Sequence, residues 1–296
     1  MMKVKLGDIF EIGSGGTPSK SHPEYYGGNI PWVKTGDLKN TYLYSVEDFI
    51  TESGLNNSSA KMYEPDTVLI AMYGATIGAT SILKINACTN QACAAFKPND
   101  KVKPEYLYYF LRSKKNEFIK DGVGGAQPNI SAGYLKKVDM ELPEIKEQNE
   151  IVTILNKSSD VVSMRKKELK NLDNLIKARF IELFGDPETN PYGWEKVTVG
   201  DVCSSIVRGP FGSALKKEFF VEPNETTYKV YEQKHAIQKS ATIGTYYVTA
   251  EKFGELRRFE CVAGDILMSC SGTMGELYQL PEGCEKGLIN QALCKW

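Results

Sequence analysis

The chain has 296 residues, 42 % hydrophobic and 25 % charged, with a formal net charge of −1 at pH 7. That length suits about two ordinary domains, and the balance is that of a soluble globular protein. It has no run of 18 apolar residues, so no helical membrane span is expected. The opening residues MMKVKLGDIFEIGSGG lack the apolar core of an export signal. Seven Cys, an odd number without a C-x-x-C pair, read as reduced thiols of a cytoplasmic protein. His22 and His235 stand far apart with no Cys around them, which argues against a zinc site. A near-neutral chain does not grip DNA through many phosphates unaided, so any basic surface must be local or a partner must supply part of the contact.

Residues 1–143 read as one mixed domain. Short apolar runs, Val68–Ala71 and Val138–Leu142, are strand-like and bounded by Gly and Pro loops. A helix is expected from Pro104 to Lys120, with Tyr106, Leu107, Phe110, Leu111 and Phe118 on or near one face. Three loops are rich in small polar residues: Gly13–Ser21, Tyr73–Ser81 and Gly122–Ser131.

The span 144–186 predicts one long helix. Pro143 precedes it, Glu144 and Glu147 put negative charge at the positive end of its dipole, and Gly185-Asp186-Pro187 closes it. At about 1.5 Å per residue the rod is roughly 60 Å long. Positions Ile151, Leu155, Ser158, Val162, Arg165, Leu169, Leu172, Ile176, Arg179 and Leu183 follow a 4-3 alternation, a coiled-coil seam with polar interruptions. Such a seam either packs on its own domain or pairs with a second rod, and nothing else in the chain can supply that rod. Ile151, Leu155, Val162, Leu169, Leu172, Ile176 and Leu183 are the expected helix-pairing residues. The basic residues Arg165, Lys166, Lys167, Lys170, Lys177 and Arg179 form either a solvated face or a contact for phosphates.

After the rod the chain begins again, over 187–296. Val4–Ile9 recurs as Val197–Val202, Asp66–Gly78 recurs in shortened form as Asp265–Gly275, and Asn90-Gln91-Ala92 recurs as Asn290-Gln291-Ala292. Three matches in one order make an internal repeat. The second copy stops at the counterpart of Phe96, so it lacks equivalents of Lys97–Leu142 and is expected to be an incomplete domain with uncovered apolar residues.

No catalytic pattern is complete in the sequence. Asn190-Pro191-Tyr192 lacks the second Pro of a base-holding methyltransferase loop and reads as linker. Gly13–Gly16 does not match a nucleotide fingerprint, and there is no Walker A pattern. Pro65-Asp66 and Glu144-Ile145-Lys146 are only fragments of a nuclease pattern; Asp66 fits a turn before a strand and Glu144 the start of the rod.

The stretches LGDIFEIGSGGTPS, IPWVKTGDL, DTVLIAMYGATIGA, NQACAAF, AQPNIS, LPEIKEQNEIV and FIELFGDP resemble the specificity (S) subunits of type I restriction–modification systems. The resemblance covers essentially the whole chain. It implies an α+β fold with two related mixed α/β target-recognition domains joined by a long coiled-coil-type helix, the second domain incomplete here. It also implies a non-catalytic subunit that directs adenine methylation and restriction to a bipartite site on double-stranded DNA. The expected partners are methyltransferase (modification) subunits and a restriction/translocase subunit. S-adenosylmethionine, ATP and Mg are expected on those partners and no cofactor on this chain. A half-subunit that homodimerises through the helix is the alternative, and a standalone nuclease or methylase the more distant one.

Base readout needs donors and acceptors on loops that can enter a groove. That points to Thr17, Ser19 and Lys20, to Lys34, Thr35 and Asp37 after Trp32, to Tyr73 and Thr76, and to Gln127 and Asn129. In the second copy it points to Arg208, Ser213, Lys216 and Lys217, with Lys234 and His235 further on. Each is also an ordinary loop or turn residue. Domains that read different half-sites should differ where they read, which favours Lys216–His235 and leaves Gly7, Asp8, Gly74 and Gly78 as scaffold.

Overall fold

The computed structural model describes residues 2–122 and 129–296. The chain divides into two compact units, Met1–Phe180 and Ile181–Trp296. In the first, a five-stranded sheet runs in the order Ile12–Ser14, Cys93–Phe96, Val68–Ala71, Thr80–Leu83, Tyr42–Leu43. Its three central strands are buried at every residue because both faces are covered, with Thr80 and Ser81 the polar exceptions in otherwise apolar runs. Successive side chains alternate between faces, so Val68 and Ile70 enter one core and Leu69 and Ala71 another. The first core is closed by Leu107, Tyr108, Leu111 and Phe118. The helix expected over Pro104–Lys120 is two, Pro104–Ser113 and Lys115–Asp121. At Lys114 the amide is shared between the carbonyls of Phe110 (3.3 Å) and Leu111 (3.2 Å), a forked bond that tightens the turn and breaks the regular ladder.

A second sheet, Phe49–Ile50, Tyr26–Val33, Ala87–Thr89, Met62–Tyr63, holds Trp32 and Cys88 inside. Met2–Lys5 pairs antiparallel with Asp139–Leu142. Asp66 occupies a left-handed turn at φ 68° before its strand, with its carboxylate 2.5 Å from Lys84 Nζ.

The long helix is unbroken over Ile145–Phe184, 40 residues. It ends where Gly185, at φ 78°, donates its amide to Ile181 O at 2.8 Å, a position glycine fills without a Cβ penalty. Ile151, Val152, Leu155, Asn156 and Ser159 are half-buried, and Gln148 on the same side is fully buried. From Asp160 to Phe184 every residue is exposed. The rod is thus anchored over its first four turns and solvent-exposed beyond them. Among the described residues no helix is long and apolar enough to cross a membrane.

The second unit repeats the frame. One sheet runs Val207–Arg208, Leu293–Lys295, Ile266–Ser269, Leu277–Gln279, and the other runs Tyr247–Val248, Tyr228–Tyr231, Gly287–Ile289, Glu260–Cys261. These are the strand orders of the first unit less its fifth strand, down to the one parallel pair, Trp32–Val33 with Cys88–Thr89 and Val230–Tyr231 with Leu288–Ile289. The repeat in the sequence is therefore a repeat in topology. Residues that correspond differ in burial: Val197, Val199, Val202 and Ile206 are 55 %, 47 %, 69 % and 50 % exposed, whereas Leu6 and Ile12 of the first unit are 0 % and 7 %. Leu6 and Ile12 lie under Leu107, Leu135, Val138 and Met140, residues without counterparts among 187–296.

Candidate nucleic-acid interface

Register brings most of the candidate residues of the first unit to one end of its sheets. Ser14 pairs with Ala94 and Ala71 with Cys93, so the segments after Ser14, after Ala71 and before Cys93 emerge together. Val33 pairs with Thr89, which adds Lys34–Asp37 to the same end. The loops are tied to one another. Gly16 N donates to Thr89 O at 2.9 Å, Trp32 Nε1 donates to Gly16 O at 3.1 Å, and Tyr26 Oη donates to Pro18 O at 2.5 Å. Gly15 is packed so closely on Thr89 that a Cβ would overlap the Thr89 carbonyl. Asn129 reaches the cluster by a bridge to Tyr73, with its Oδ1 accepting from Gly74 N at 3.3 Å.

The second unit builds the same end. Gly209 approaches Asn290 O as closely as Gly15 approaches Thr89 O. Arg208 pairs with Cys294 and Ser269 with Leu293, so the loops after Arg208, after Ser269 and before Leu293 emerge together. Tyr231 pairs with Ile289, which brings Glu232–His235 there, and Gln233 Nε2 donates to Ser271 O and, at 3.1 Å, to Thr273 O.

The candidate residues now separate. Ser19, Lys20, Ser213, Lys216 and Lys217 are exposed on the two Gly-rich loops, Tyr73 is 41 % exposed, and Thr35 is half-buried. Arg208 lies 4.8 Å over the ring of Phe211, itself 64 % exposed and passed over in the sequence, where an aromatic in G-P-F-G reads as a turn. Lys34 is held by Asp48 at 2.5 Å, which raises its pKa through that hydrogen bond, and Lys234 is held by Glu232 at 2.5 Å. Lys216 stands 3.4 Å from Glu218. The hydroxyls of Thr17 and Thr76 are spent locally, on Gln91 Oε1 and on Tyr73 O. Gln127 lies outside the described residues.

Two expectations are corrected. His235 is completely buried; Nε2 donates to Ile243 O at 2.7 Å and Nδ1 accepts from Glu232 N at 2.9 Å, so it has no nitrogen left for a base. Burial lowers its pKa and keeps the ring neutral. Asp37, at the corresponding place, accepts from Lys34 N at 2.7 Å and closes a turn in the same way. An Asp and a His thus differ between the copies and still do one structural job. The stretch Lys216–His235 is also not one reading loop, since Tyr228–Tyr231 is a core strand with Lys229 2 % exposed and paired to Glu285 at 2.8 Å.

On the rod, Val162, Leu169, Leu172, Ile176 and Leu183 are exposed, while Ile151 and Leu155 are half-buried on the side of Gln148. Arg165 pairs with Glu168 at 2.5 Å one turn away. Burial pushes the Cys88 thiol up to about 11 and the Cys93 thiol up to about 12, so neither is a thiolate nucleophile at neutral pH. Among the described residues no group of three or more His, Cys, Asp or Glu could hold a metal ion.

The family model described as the type I restriction modification DNA specificity domain matches residues 1–174. The chain is 34 % identical over 218 residues to the type I restriction enzyme MjaIX specificity subunit of Methanocaldococcus jannaschii, covering 67 % of this chain and 50 % of that one. It is 30 % identical over 170 residues to the HindI specificity subunit of Haemophilus influenzae, covering 56 % and 36 %. Among solved structures it is similar to the type I restriction–modification S subunit from M. genitalium, with TM-score 0.49 and 15 % identity over 99 % of this chain and 71 % of that one. The chain spans half or less of the length of these curated relatives. With the family model matched across more than half of its residues, the chain belongs to the type I restriction–modification DNA specificity family.

Proposed function

We propose that this chain is a DNA-recognition subunit that directs a type I restriction–modification complex to a split double-stranded site, each unit facing one half-site, and performs no chemistry itself. The observation that carries this reading is the duplication: two units with one strand order present differing loops at the same end of the same sheets. Scaffold positions are shared between the copies, including the close-packed Gly15 and Gly209, and exposed side chains around them are not. Such an arrangement suits reading two unlike sequences from one framework. Methyltransferase subunits holding S-adenosylmethionine and an ATP- and Mg-dependent restriction subunit complete the assembly, which acts in the cytoplasm.

The test is footprinting of the chain together with its methyltransferase subunits on a randomised DNA pool. Two protected patches separated by an unselected spacer are expected; binding without sequence preference overturns the reading. Lys20→Ala and Lys217→Ala should weaken binding equally on all sequences and lower the salt slope by about 1 each.

A second reading, dimerisation through the helix, is favoured by the exposure of Leu169, Leu172 and Ile176 at 64 %, 50 % and 69 %. An apolar seam of this length costs free energy in water until a second helix covers it. Sedimentation at micromolar concentration should then show a dimer, and a strict monomer removes this reading.

A further inference from the structure

Gln148 is the one fully buried residue of the long helix, and both its amide hydrogens and its carbonyl oxygen are hydrogen-bonded. Its Oε1 accepts from Lys103 N at 2.9 Å, and its Nε2 donates to Lys101 O and to Pro143 O, both at 2.9 Å. Lys101–Lys103 leads directly into the helix Pro104–Ser113, which packs on the five-stranded sheet. Two turns further along the rod, Asn156 Oδ1 accepts from Tyr109 Oη at 2.7 Å, and Tyr109 belongs to that same helix. The two ties are eight residues apart, about 12 Å along the axis. One tie fixes a point on a rod; two at this distance fix its direction.

We propose that Gln148 and the Tyr109–Asn156 pair form a two-point clamp that sets the angle at which the rod leaves the first unit, making Gln148 and Tyr109 positioning residues for the spacing of the two half-sites. The spacing part rests on the function proposed above. An amide is the side chain that suits the first tie, because it donates and accepts at once. A carboxylate there would face two carbonyl oxygens without a proton to offer, and a thioether would fill the volume and bond to neither. Leverage gives the clamp its effect. The rod beyond Ser159 is about 38 Å long, so a tilt of about 5° displaces its far end by about 3 Å, close to one base-pair step of about 3.4 Å.

The experiment compares wild type, Gln148→Met, Tyr109→Phe and the double variant in two ways. The first is binding, with the methyltransferase subunits present, to DNAs whose half-site separation changes one base pair at a time. Wild type should prefer one separation. Gln148→Met should reduce the preference for the best over the neighbouring separations by about tenfold, the size expected for the loss of buried hydrogen bonds, with a smaller reduction for Tyr109→Phe. Ile50→Val, a core change in the other sheet, where Ile50 packs with Trp32 and Cys88 and not with the clamp helix, should leave the preference unchanged. The second is the distribution of distances between spin labels placed, as unnatural amino acids, at exposed Lys39 and Lys177. It should broaden in both clamp variants. If Gln148→Met fails to fold, Tyr109→Phe, which keeps its ring, decides both readouts. A uniform loss of affinity at every separation, or unchanged label distances, overturns the clamp. A wild type without any sequence or spacing preference, together with label distances that broaden in the variants, instead overturns the DNA reading and leaves the clamp standing.

Discussion

Leu6 and Val199 hold equivalent places in the two units, yet one is sealed and the other is 47 % exposed. Both open a four-residue helix, Leu6–Ile9 and Val199–Val202. In the first unit that turn has no side-chain cap and is held by burial under Leu107, Leu135 and Met140. In the second it is held by its own cap: Thr198 N and Thr198 Oγ1 both donate to the Asp201 carboxylate, at 2.9 and 2.7 Å. Local hydrogen bonding can thus keep a turn formed where packing is absent, but it contributes little beyond that turn. Burial, by contrast, is decided by a segment about 100 residues further along the chain.

The largest effect should come from treating the pair alike. Leu6→Ala should destabilise the first unit by ~2–5 kcal/mol, as for other sealed leucines, whereas Val199→Ala should stay within ~0.5 kcal/mol. Denaturant unfolding followed by hydrogen exchange in each unit measures both, and equal costs would show that the turn of the second unit is in fact covered. A feature common to the units should respond equally. Gly15→Ala and Gly209→Ala each drive a methyl into a backbone carbonyl, and each should cost ~1–3 kcal/mol. A cost at only one of them would break the structural equivalence of the two Gly-rich loops.

The smallest effect concerns pH and the second unit alone. Burial holds the His235 pKa below its ordinary 6.5, so below that value the unfolded chain binds a proton that the folded one refuses. The stabilising contribution is therefore complete above pH 6.5 and is lost progressively as pH falls below it. Protection of the Tyr228–Tyr231 strand should fall in mild acid and should fall less in His235→Gln.

What the sequence made legible was local or repeated. The strand Val68–Ala71, the unbroken rod and its Gly185 stop follow from apolar runs, the absence of Gly and Pro, and a residue that accepts positive φ. The repeat was readable because the scaffold residues recur. The reading residues were harder, because a loop polar group looks the same whether it faces a base or its own backbone. Asp37 and His235 both read as polar loop residues able to enter a groove, and both close the same turn. Gln148 was missed for the opposite reason: a Gln near the start of a helix is ordinary on a surface. The only sign was its place on the side shared with Val152, Leu155 and Ser159, where an apolar residue would be usual.

That buried amide carries no charge. Contacts to phosphate weaken steeply as counterions accumulate, and exposed ion pairs are screened over about 10 Å at 0.1 M salt. The Gln148 bonds are dry and neutral, so neither ionic strength nor protonation alters them. Under the proposed function, affinity for DNA can then change by orders of magnitude across buffers while the stiffness of the joint stays constant.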